Sequence, residues 1–219
     1  MIKLPDFKKK FDYENNFYLS CDSSRMSRII AHYELFKLVQ EIPGDIVECG
    51  VFKGTALVRF AMFQDQFKGK YDKKVIGFDT FGKFPKSSLK ADSFYIKKFT
   101  KEAGENSISL PQIKKVISSK KLTKLVELVP GDICKTVPVY AGLNPKRRIS
   151  LLNLDVDIYD PSKTILEYLY PMISKGGILI LDEYGDFPGE TKAVNEYFKG
   201  RPEIRRLPFC RTPCYIIKK

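Results

Sequence analysis

The sequence predicts an α/β fold in which helices cover both faces of a doubly wound, mostly parallel sheet. The first observation is that apolar runs typical of strands alternate with segments of helical periodicity along most of the chain. The second is that the central runs are apolar throughout, as expected for strands buried on both faces. The chain has 219 residues, 43% of them hydrophobic, which suits one domain with a packed core.

We divide the chain into an N-terminal arm and helix, residues 1–40, and one domain, residues 41–219. Helical spacing of apolar residues predicts a helix over 24–41, which Pro43-Gly44 ends. Further helices are predicted over 54–63, 110–121, 161–173 and 189–199. Strands are predicted over 45–51, 75–79, 125–129, 149–154 and 178–181, with two short strands near 204–207 and 214–217.

Residues 82–107 separate the second strand from the next helix. They are polar and rich in lysine, and their apolar residues show little periodicity. A long irregular segment inside a compact domain is usually functional. We therefore predict that residues 82–107, called the lid segment below, cover an active site.

Charge is unevenly distributed along the chain. Lysine and arginine number 38 against 26 acidic residues, for a net charge of +12, which suggests an anionic partner. Residues 83–124 carry +8 and residues 199–219 carry +6, whereas residues 150–198 carry −6. We expect the chemistry in this acidic tract, because its composition runs against the rest of the chain.

The cysteines and the histidine exclude several classes of site. The five cysteines are odd in number and form no CxxC pair, so neither a disulfide framework nor a structural zinc site is expected. The one histidine, His32, excludes multi-histidine metal sites and is expected to be a packed or surface side chain. The sequence has no membrane-length apolar run and no signal-peptide core, so we predict a soluble, cytoplasmic protein without a membrane partner.

Acids and glycines follow the first three strands, where ligands bind in open α/β sheets. The first strand runs through residues 48–50 to Gly54 without the GxGxxG pattern of a phosphate site. Glu48 in this turn would repel a pyrophosphate and suits a cation such as an amino-acid ammonium. Asp79 suits the hydroxyls of a ribose, and Gly131-Asp132 suits an adenine edge. A non-phosphorylated adenosine with an amino-acid tail is S-adenosylmethionine; the alternative is that these are ordinary turn residues.

Carboxylates also follow the fourth and fifth strands. Asp155 and Asp157 come after the fourth, and Asp182-Glu183 after the fifth. Neighbouring parallel strands would bring these acids together, and their repulsion is relieved by a cation. Oxygen ligands suit Mg²⁺, Mn²⁺ or Ca²⁺. One arrangement has Asp155, Asp182 and Glu183 holding the ion with Asp157 beside it as general base; the alternative is a solvated acidic edge.

These residues carry a resemblance to a known family. The chain resembles the macrocin O-methyltransferase (TylF-type) group of class I S-adenosylmethionine-dependent methyltransferases over roughly residues 24–200, in collinear order. The matching segments are Ile42–Gly54, Gly77–Phe81, Leu154–Tyr159, Leu166–Pro171, Gly176-Gly177, Asp182–Gly185, Pro188-Gly189 and Lys192–Phe198.

The resemblance implies methylation of a hydroxyl of a sugar or sugar-containing small molecule, with S-adenosylmethionine and a divalent ion, usually Mg²⁺. It also implies a Rossmann-like, seven-stranded sheet ending in an antiparallel hairpin, and a homodimer or larger homo-oligomer. Asp157 would be the catalytic base, and Asp155, Asp182 and Glu183 would be the metal ligands. Ser27, Glu48, Gly50 and Asp79 would be cofactor-binding residues of the family. The full predicted cofactor-binding set adds Cys49, Gly54, Thr80, Phe81, Gly131, Asp132 and Asp155.

Two alternatives stay open on sequence alone. A nucleic-acid methyltransferase is favoured by the charge of +12, but the acids of the predicted metal site oppose it, and we predict no nucleic-acid partner. A cofactor-binding protein without catalysis is suggested by Asp182-Glu183, where the family usually has two aspartates. The Lys-rich lid segment suggests an anionic acceptor, such as a phosphorylated or nucleotide-linked sugar.

Overall fold

The computed structural model describes residues 2–200 and 202–219. Within those ranges the helices are α1 (Lys10–Ser20), α2 (Ser23–Leu38), α3 (Thr55–Gln66), α4 (Asp92–Ala103), α5 (Leu110–Ser119), α6 (Ile133–Leu143), α7 (Tyr159–Tyr168) and α8 (Pro188–Tyr197). The strands are β1 (Asp45–Cys49), β2 (Val75–Asp79), β3 (Val126–Pro130), β4 (Ile149–Leu154), β5 (Ile173–Leu181), β6 (Arg205–Arg206) and β7 (Cys214–Ile217).

The strands form one seven-stranded sheet in the order β3-β2-β1-β4-β5-β7-β6. Strands β1 to β5 pair in parallel, whereas β7 pairs antiparallel with β5 and with β6. The predicted seven-stranded, mostly parallel sheet with an antiparallel C-terminal hairpin is therefore confirmed. Its order reverses between β1 and β4, and ligands bind beyond the strand ends at such a switch point.

The core lies on both faces of this sheet, because successive strand residues point to opposite sides. In β5, Leu179 and Leu181 pack on the face covered by α6, α7 and α8. Ile178 and Ile180 pack on the opposite face, with α2, α3 and α5. All four side chains are fully buried, which explains why the strand sequences are apolar without alternation.

The lid segment differs from its prediction as an irregular stretch, because it contains the helix α4. One face of α4 rests on the domain through aromatic contacts, with Phe99 5.2 Å from Phe52 and Tyr95 5.4 Å from Phe187 between ring centroids. The base of the segment is closed by backbone hydrogen bonds, in which Ser107 donates to Gly82 and Phe84 donates to Glu105.

The other differences concern element boundaries and two missed helices, α1 and α6. Helix α1 has no buried residue, so no buried apolar face marks it in the sequence. The helix predicted over 161–173 ends at Tyr168, and β5 begins at Ile173. Pro171 lies in the short 3₁₀ turn between them, since proline lacks the N–H that a continuing helix needs. Helix α6 was not predicted, because Pro138 lies inside it; its start is capped by Asp132, which accepts from the Cys134 N–H.

In the part of the chain that the structure describes, none of the helices has the length and apolarity needed to cross a membrane.

Candidate active site

A cavity of about 700 Å³ opens at the carboxyl ends of β1, β2, β4 and β5, over the switch point of the sheet. Gly50 lets the two central strand ends meet there. Its φ is +97°, and a Cβ at this position would lie 1.7 Å from the carbonyl oxygen of Asp155. Glycine is therefore required both by the backbone conformation and by the close approach of the chain after β4.

Backbone N–H groups hold the carboxylates that follow β2 and β3. Asp79 accepts from the Phe52 N–H at 2.9 Å and from the Phe81 N–H at 2.6 Å, so it joins the loop after β1 to its own loop. Asp132 accepts from the Cys134 N–H at 3.0 Å. Both aspartates line the cavity. Their hydrogen bonds to backbone N–H groups of the adjoining loops fix their positions there.

Glu48 is a buried acid with an unsatisfied oxygen. It lines the cavity and is 1% exposed, and its Oε2 has no hydrogen-bond partner among the residues described. Burial raises the pKa of Glu48 well above the ordinary range, while the positive charge of Arg59 opposes that rise. Such an acid is well suited to a cationic group of a ligand entering the cavity.

The acids after β4 and β5 gather on the other side of the same cavity. Strand β4 ends at Leu154, and Asp157 has a φ of +64°. The two aspartates after β4 therefore do not continue the extended strand. The carbonyl of Asp157 accepts from the Glu190 N–H at 3.1 Å, which fixes this turn against α8.

Arg28 of α2 reaches into this acidic group, which we call the acid cluster (Asp155, Asp157, Asp182 and Glu183). Its Nη1 donates to Asp182 Oδ2 at 2.7 Å, and its Nη2 donates to Glu183 Oε1 at 2.9 Å. One guanidinium thus bridges the two acids that end β5. Charge-assisted pairs of this kind have a geometric specificity that a lysine cannot supply.

His32 and Arg59 form a second layer behind the acid cluster. His32 is 1% exposed, stacks on Phe60 with ring centroids 4.8 Å apart, and has its Nε2 3.9 Å from Asp182 Oδ1. Its Nδ1 lies 3.0 Å from Arg59 Nη1. Burial lowers the pKa of His32, and the carboxylate of Asp182 opposes that change. Of the packed or surface positions expected for this histidine, the packed one is observed, next to the site.

The pKa values of the acid cluster separate into two groups. Burial raises the pKa of Asp155 and of Asp157 well above the usual range for aspartate, and neighbouring carboxylates raise both further. Burial also acts to raise the pKa of Asp182, but His32 and Arg28 outweigh it, and that pKa is lowered. A carboxylate with a raised pKa is better suited than an ordinary aspartate to accepting a proton near neutral pH.

The lid segment covers one side of the cavity. Phe84, Phe99 and Ser107 line it, together with Lys83 and Lys86. The segment is anchored to the start of α7, because the Ser88 N–H and hydroxyl donate to Asp160 at 2.7 and 2.5 Å. A second anchor is Asp92, which is fully buried and accepts from the Tyr159 N–H at 3.0 Å and from Ser87.

The cavity brings together part of the predicted set. The predicted residues that line it are Glu48, Gly50, Asp79, Thr80, Asp132, Asp155, Asp157 and Glu183. Those that do not line it are Ser27, Cys49, Gly54, Phe81, Gly131 and Asp182. Ser27 donates instead to the Ser23 carbonyl of its own helix, and its neighbours Arg25 and Arg28 reach the cavity.

Sequence reasoning missed three charged residues of the site, Arg28, Arg59 and Glu190. Arg28 pairs with Asp182, 154 residues away in sequence, and no local sequence pattern predicts such a contact. Glu190 is fully buried and accepts from the Glu183 N–H at 3.2 Å. Glu190 could have been suspected from the sequence, because it is an acid two residues after Pro188 and lies inside the acidic tract of residues 150–198.

The oxygen donors of the acid cluster match the chemistry of a hard divalent ion, but their arrangement does not. Two of the three predicted ligands, Asp182 and Glu183, already pair with Arg28. Over residues 2–200 and 202–219, no group of three or more histidine, cysteine, aspartate or glutamate side chains is placed to hold a metal ion. As arranged, the predicted ligands therefore do not fit a divalent ion.

Characterised relatives include two methyltransferases named for sugar-bearing natural products. The chain is 31% identical over 160 residues to mycinamicin III 3''-O-methyltransferase of Micromonospora griseorubida, covering 71% of this chain and 61% of the relative. It is 29% identical over 168 residues to an 8-demethyl-8-(2,3-dimethoxy-alpha-L-rhamnosyl)-tetracenomycin-C 4'-O-methyltransferase of Streptomyces olivaceus, covering 75% and 61%. The chain thus spans about three fifths of the length of these relatives.

Solved structures show the same similarity along nearly the whole chain. A calicheamicin methyltransferase superposes with a TM-score of 0.75 at 27% identity, covering 97% of this chain and 86% of that one. An apo structure described as TDP-rhamnose 3'-O-methyltransferase of calicheamicin biosynthesis gives a TM-score of 0.68 at 27% identity, covering 97% and 87%.

The family model described as macrocin-O-methyltransferase (TylF) matches residues 18–206, which include α2, every strand of the sheet but β7, and the acid cluster. The chain therefore belongs to the macrocin O-methyltransferase (TylF) family.

Proposed function

We propose that this chain is an S-adenosylmethionine-dependent O-methyltransferase that methylates a hydroxyl of a sugar or of a sugar-containing small molecule. The observation that carries the proposal is one cavity with two unlike walls. Glu48 and Asp79 stand on one wall, and Asp157 stands on the other. Family membership and the names of the relatives support the reaction class.

The β1–β3 wall is proposed to hold the cofactor. Glu48 would pair with the ammonium of the methionine part, because its buried Oε2 has no partner in the described chain. Asp79 would bind the ribose hydroxyls, and Thr80 and Asp132 would flank the nucleoside. Gly50 leaves room beside the cofactor. The sulfonium is positively charged, and the acid-lined cavity favours that charge.

Asp157 is proposed to be the general base. The acceptor oxygen would attack the methyl carbon as the carbon–sulfur bond breaks, releasing S-adenosylhomocysteine, and the hydroxyl proton would pass to the Asp157 carboxylate. The raised pKa of Asp157 supports this role, because burial and the neighbouring Glu183 make its ionised form a stronger base. Positioning of the acceptor oxygen in line with the methyl group supplies much of the remaining acceleration.

The lysines at the mouth suggest that the acceptor is anionic. Lys53, Lys83 and Lys86 line the cavity on the side of the lid segment. Lys83 is paired with Glu105 at 3.3 Å, and Lys53 donates to the Asn106 carbonyl. A sugar linked to a nucleoside diphosphate matches this charge, and one relative is described as acting on TDP-rhamnose. We propose a nucleotide-linked sugar as the acceptor, with the lid segment closing over it.

The test is methyl transfer from S-adenosylmethionine to TDP-rhamnose, followed by mass spectrometry of the sugar nucleotide. We expect a mass gain of one methylene and an equal amount of S-adenosylhomocysteine. Asp157→Asn should lower the rate by about 10²- to 10⁴-fold while cofactor binding is unchanged. Bound cofactor without transfer to TDP-rhamnose or other sugar nucleotides would favour the non-catalytic alternative instead.

The acceptor charge has its own matched control. Lys86→Ala should raise the KM for TDP-rhamnose several-fold and leave the KM for S-adenosylmethionine unchanged. Lys90→Ala changes a nearby exposed lysine that does not line the cavity, and should alter neither value. Equal effects of the two substitutions would remove the argument for an anionic acceptor.

Four finer expectations stay predictions. They are the place of Mg²⁺, which the resemblance implies but which the paired ligands do not fit as arranged, the cytoplasmic location, the homo-oligomeric state and the absence of a nucleic-acid partner.

A further inference from the structure

We propose that the Arg28 guanidinium is the resident cation of the acid cluster and stands where a divalent ion was expected. The inference concerns the proposed active site and rests on the proposed function only for what Arg28 does to the acceptor. The position of Arg28 follows from contacts within the chain alone.

Arg28 occupies a cation site formed by two carboxylates. Nη1 lies 2.7 Å from the fully buried Asp182 carboxylate, and Nη2 lies 2.9 Å from Glu183, at the end of the same strand. The Arg28 side chain is 30% exposed and lines the cavity. Its helix is held in place by Asp22, which caps the start of α2 by accepting from the Ser24 and Arg25 N–H groups.

A guanidinium and a divalent ion compete for this position. Arginine stays charged at any pH a protein tolerates, so it cannot yield the site by losing a proton. An ion on Asp182 and Glu183 would have to displace two charge-assisted hydrogen bonds and then stand beside the displaced cation. The remaining oxygen of Asp182 lies 3.9 Å from His32 Nε2 and has no hydrogen-bond partner among the residues described.

Arg28 supplies different chemistry from a metal ion. A guanidinium has five N–H donors, and two of them bind the acids after β5. The remaining donors belong to a side chain that lines the cavity beside Asp157. They would hold the acceptor oxygen by hydrogen bonds while Asp157 takes the proton. Arg28 would then neutralise Asp182 and Glu183 at all times, whatever the concentration of divalent metal ions.

The test measures Mn²⁺ binding, with free Mn²⁺ followed by electron paramagnetic resonance. The full-length chain is titrated with and without S-adenosylhomocysteine, up to about 1 mM Mn²⁺, a concentration at which even weak oxygen-ligand sites fill. We expect no stoichiometric binding to the wild type. Arg28→Ala should bind about one Mn²⁺ per chain, because it leaves Asp182 and Glu183 without their cation in the same cluster as Asp155.

Arg25→Ala is the matched control, because Arg25 lies one turn earlier on α2 and also lines the cavity, but Arg25 forms no ion pair within the described residues. It should behave as the wild type does. The double change Arg28→Ala with Asp182→Asn should lose the Mn²⁺ site again. Binding to the wild type that disappears in Asp182→Asn would overturn the proposal. A folded Arg28→Ala that binds no more Mn²⁺ than the wild type would also overturn it.

These readouts do not involve an acceptor, so they can fail separately from the proposed function. A chain that binds no Mn²⁺ but transfers methyl groups after EDTA treatment agrees with both proposals. A chain that transfers methyl groups only when Mg²⁺ is present, and binds Mn²⁺ in its wild-type form, keeps the proposed function and loses this inference.

Discussion

The two walls of the cavity are held by different kinds of contact. On the β1–β3 wall, Asp79 and Asp132 accept hydrogen bonds from backbone N–H groups of the adjoining loops. On the β4–β5 wall, Glu183 and its buried neighbour Asp182 are held by Arg28, a side chain from a helix far away in sequence. The first wall is therefore fixed by local chain geometry, and the second by long-range charge pairing.

Because of this difference, we expect the carboxylates of the first wall to stabilise the fold and those of the second wall to lower its stability. Carboxylates that satisfy backbone amides stabilise the fold, since removing them leaves buried N–H groups without partners. Crowded carboxylates with raised pKa values lower stability when they ionise, and such groups are common at functional sites. The β4–β5 wall, with Asp155 and Asp157, is the part of the site that carries this cost.

The largest expected effect is that of Gly50→Ala, at the contact between the two walls. The added Cβ would lie 1.7 Å from the Asp155 carbonyl oxygen at a φ of +97°. We expect unfolding free energy to fall by at least about 3 kcal/mol and cofactor binding to be lost. Urea unfolding and calorimetry measure the two effects.

Gly142→Ala is the control for that change. Gly142 lies in α6, and a Cβ there would meet none of the described residues within 4 Å. It should stabilise the fold by about 0.5 to 1 kcal/mol. If both glycine substitutions had the same effect, close contact of the strand ends could not be the reason for Gly50.

Asp79→Asn, on the β1–β3 wall, should lower the free energy of unfolding by about 1 to 3 kcal/mol. An asparagine retains one acceptor oxygen, so either the Phe52 or the Phe81 N–H loses its partner. Asp132→Asn is the matched change on the same wall; asparagine caps helices as well as aspartate does, so its effect should be close to zero. Equal losses in urea unfolding for both variants would contradict the assigned role of Asp79.

Asp157→Asn should change the free energy of unfolding in the opposite direction and by less. We expect the variant to be more stable than the wild type by on the order of 1 kcal/mol at pH 7. The pKa of Asp157 is raised in the fold, so the folded state binds more protons than the unfolded state above about pH 4. Ionisation of Asp157 therefore costs stability as pH rises through that window. The gain should disappear near pH 4, and unfolding at the two pH values measures it. A loss of stability at pH 7 would show that its carboxylate is held like that of Asp79.

The sequence predicted the parts of this site that follow from strand order. Acids after apolar strands identify strand ends, and parallel pairing then places Glu48, Asp79, Asp155 and Glu183 around one cavity. The glycine at residue 50 could also be predicted, since a sharp turn follows β1.

The remaining parts depend on packing that no local pattern encodes. Arg28 could be assigned only after α2 was placed against the end of β5. The helix in the lid segment was hidden by its high lysine content, because only its inner face, with Tyr95 and Phe99, packs on the domain. The turn at Asp157 depends on α8, whose Glu190 N–H binds the Asp157 carbonyl.

The most direct test of the central claim is a calorimetric titration of the full-length chain with S-adenosylmethionine, in parallel with Glu48→Gln. We expect a single site per chain in the wild type and binding weakened at least about tenfold in Glu48→Gln, a loss of about 1.4 kcal/mol. No binding to the wild type at about 1 mM cofactor, or binding unchanged in Glu48→Gln, would contradict the placement of the cofactor in this cavity.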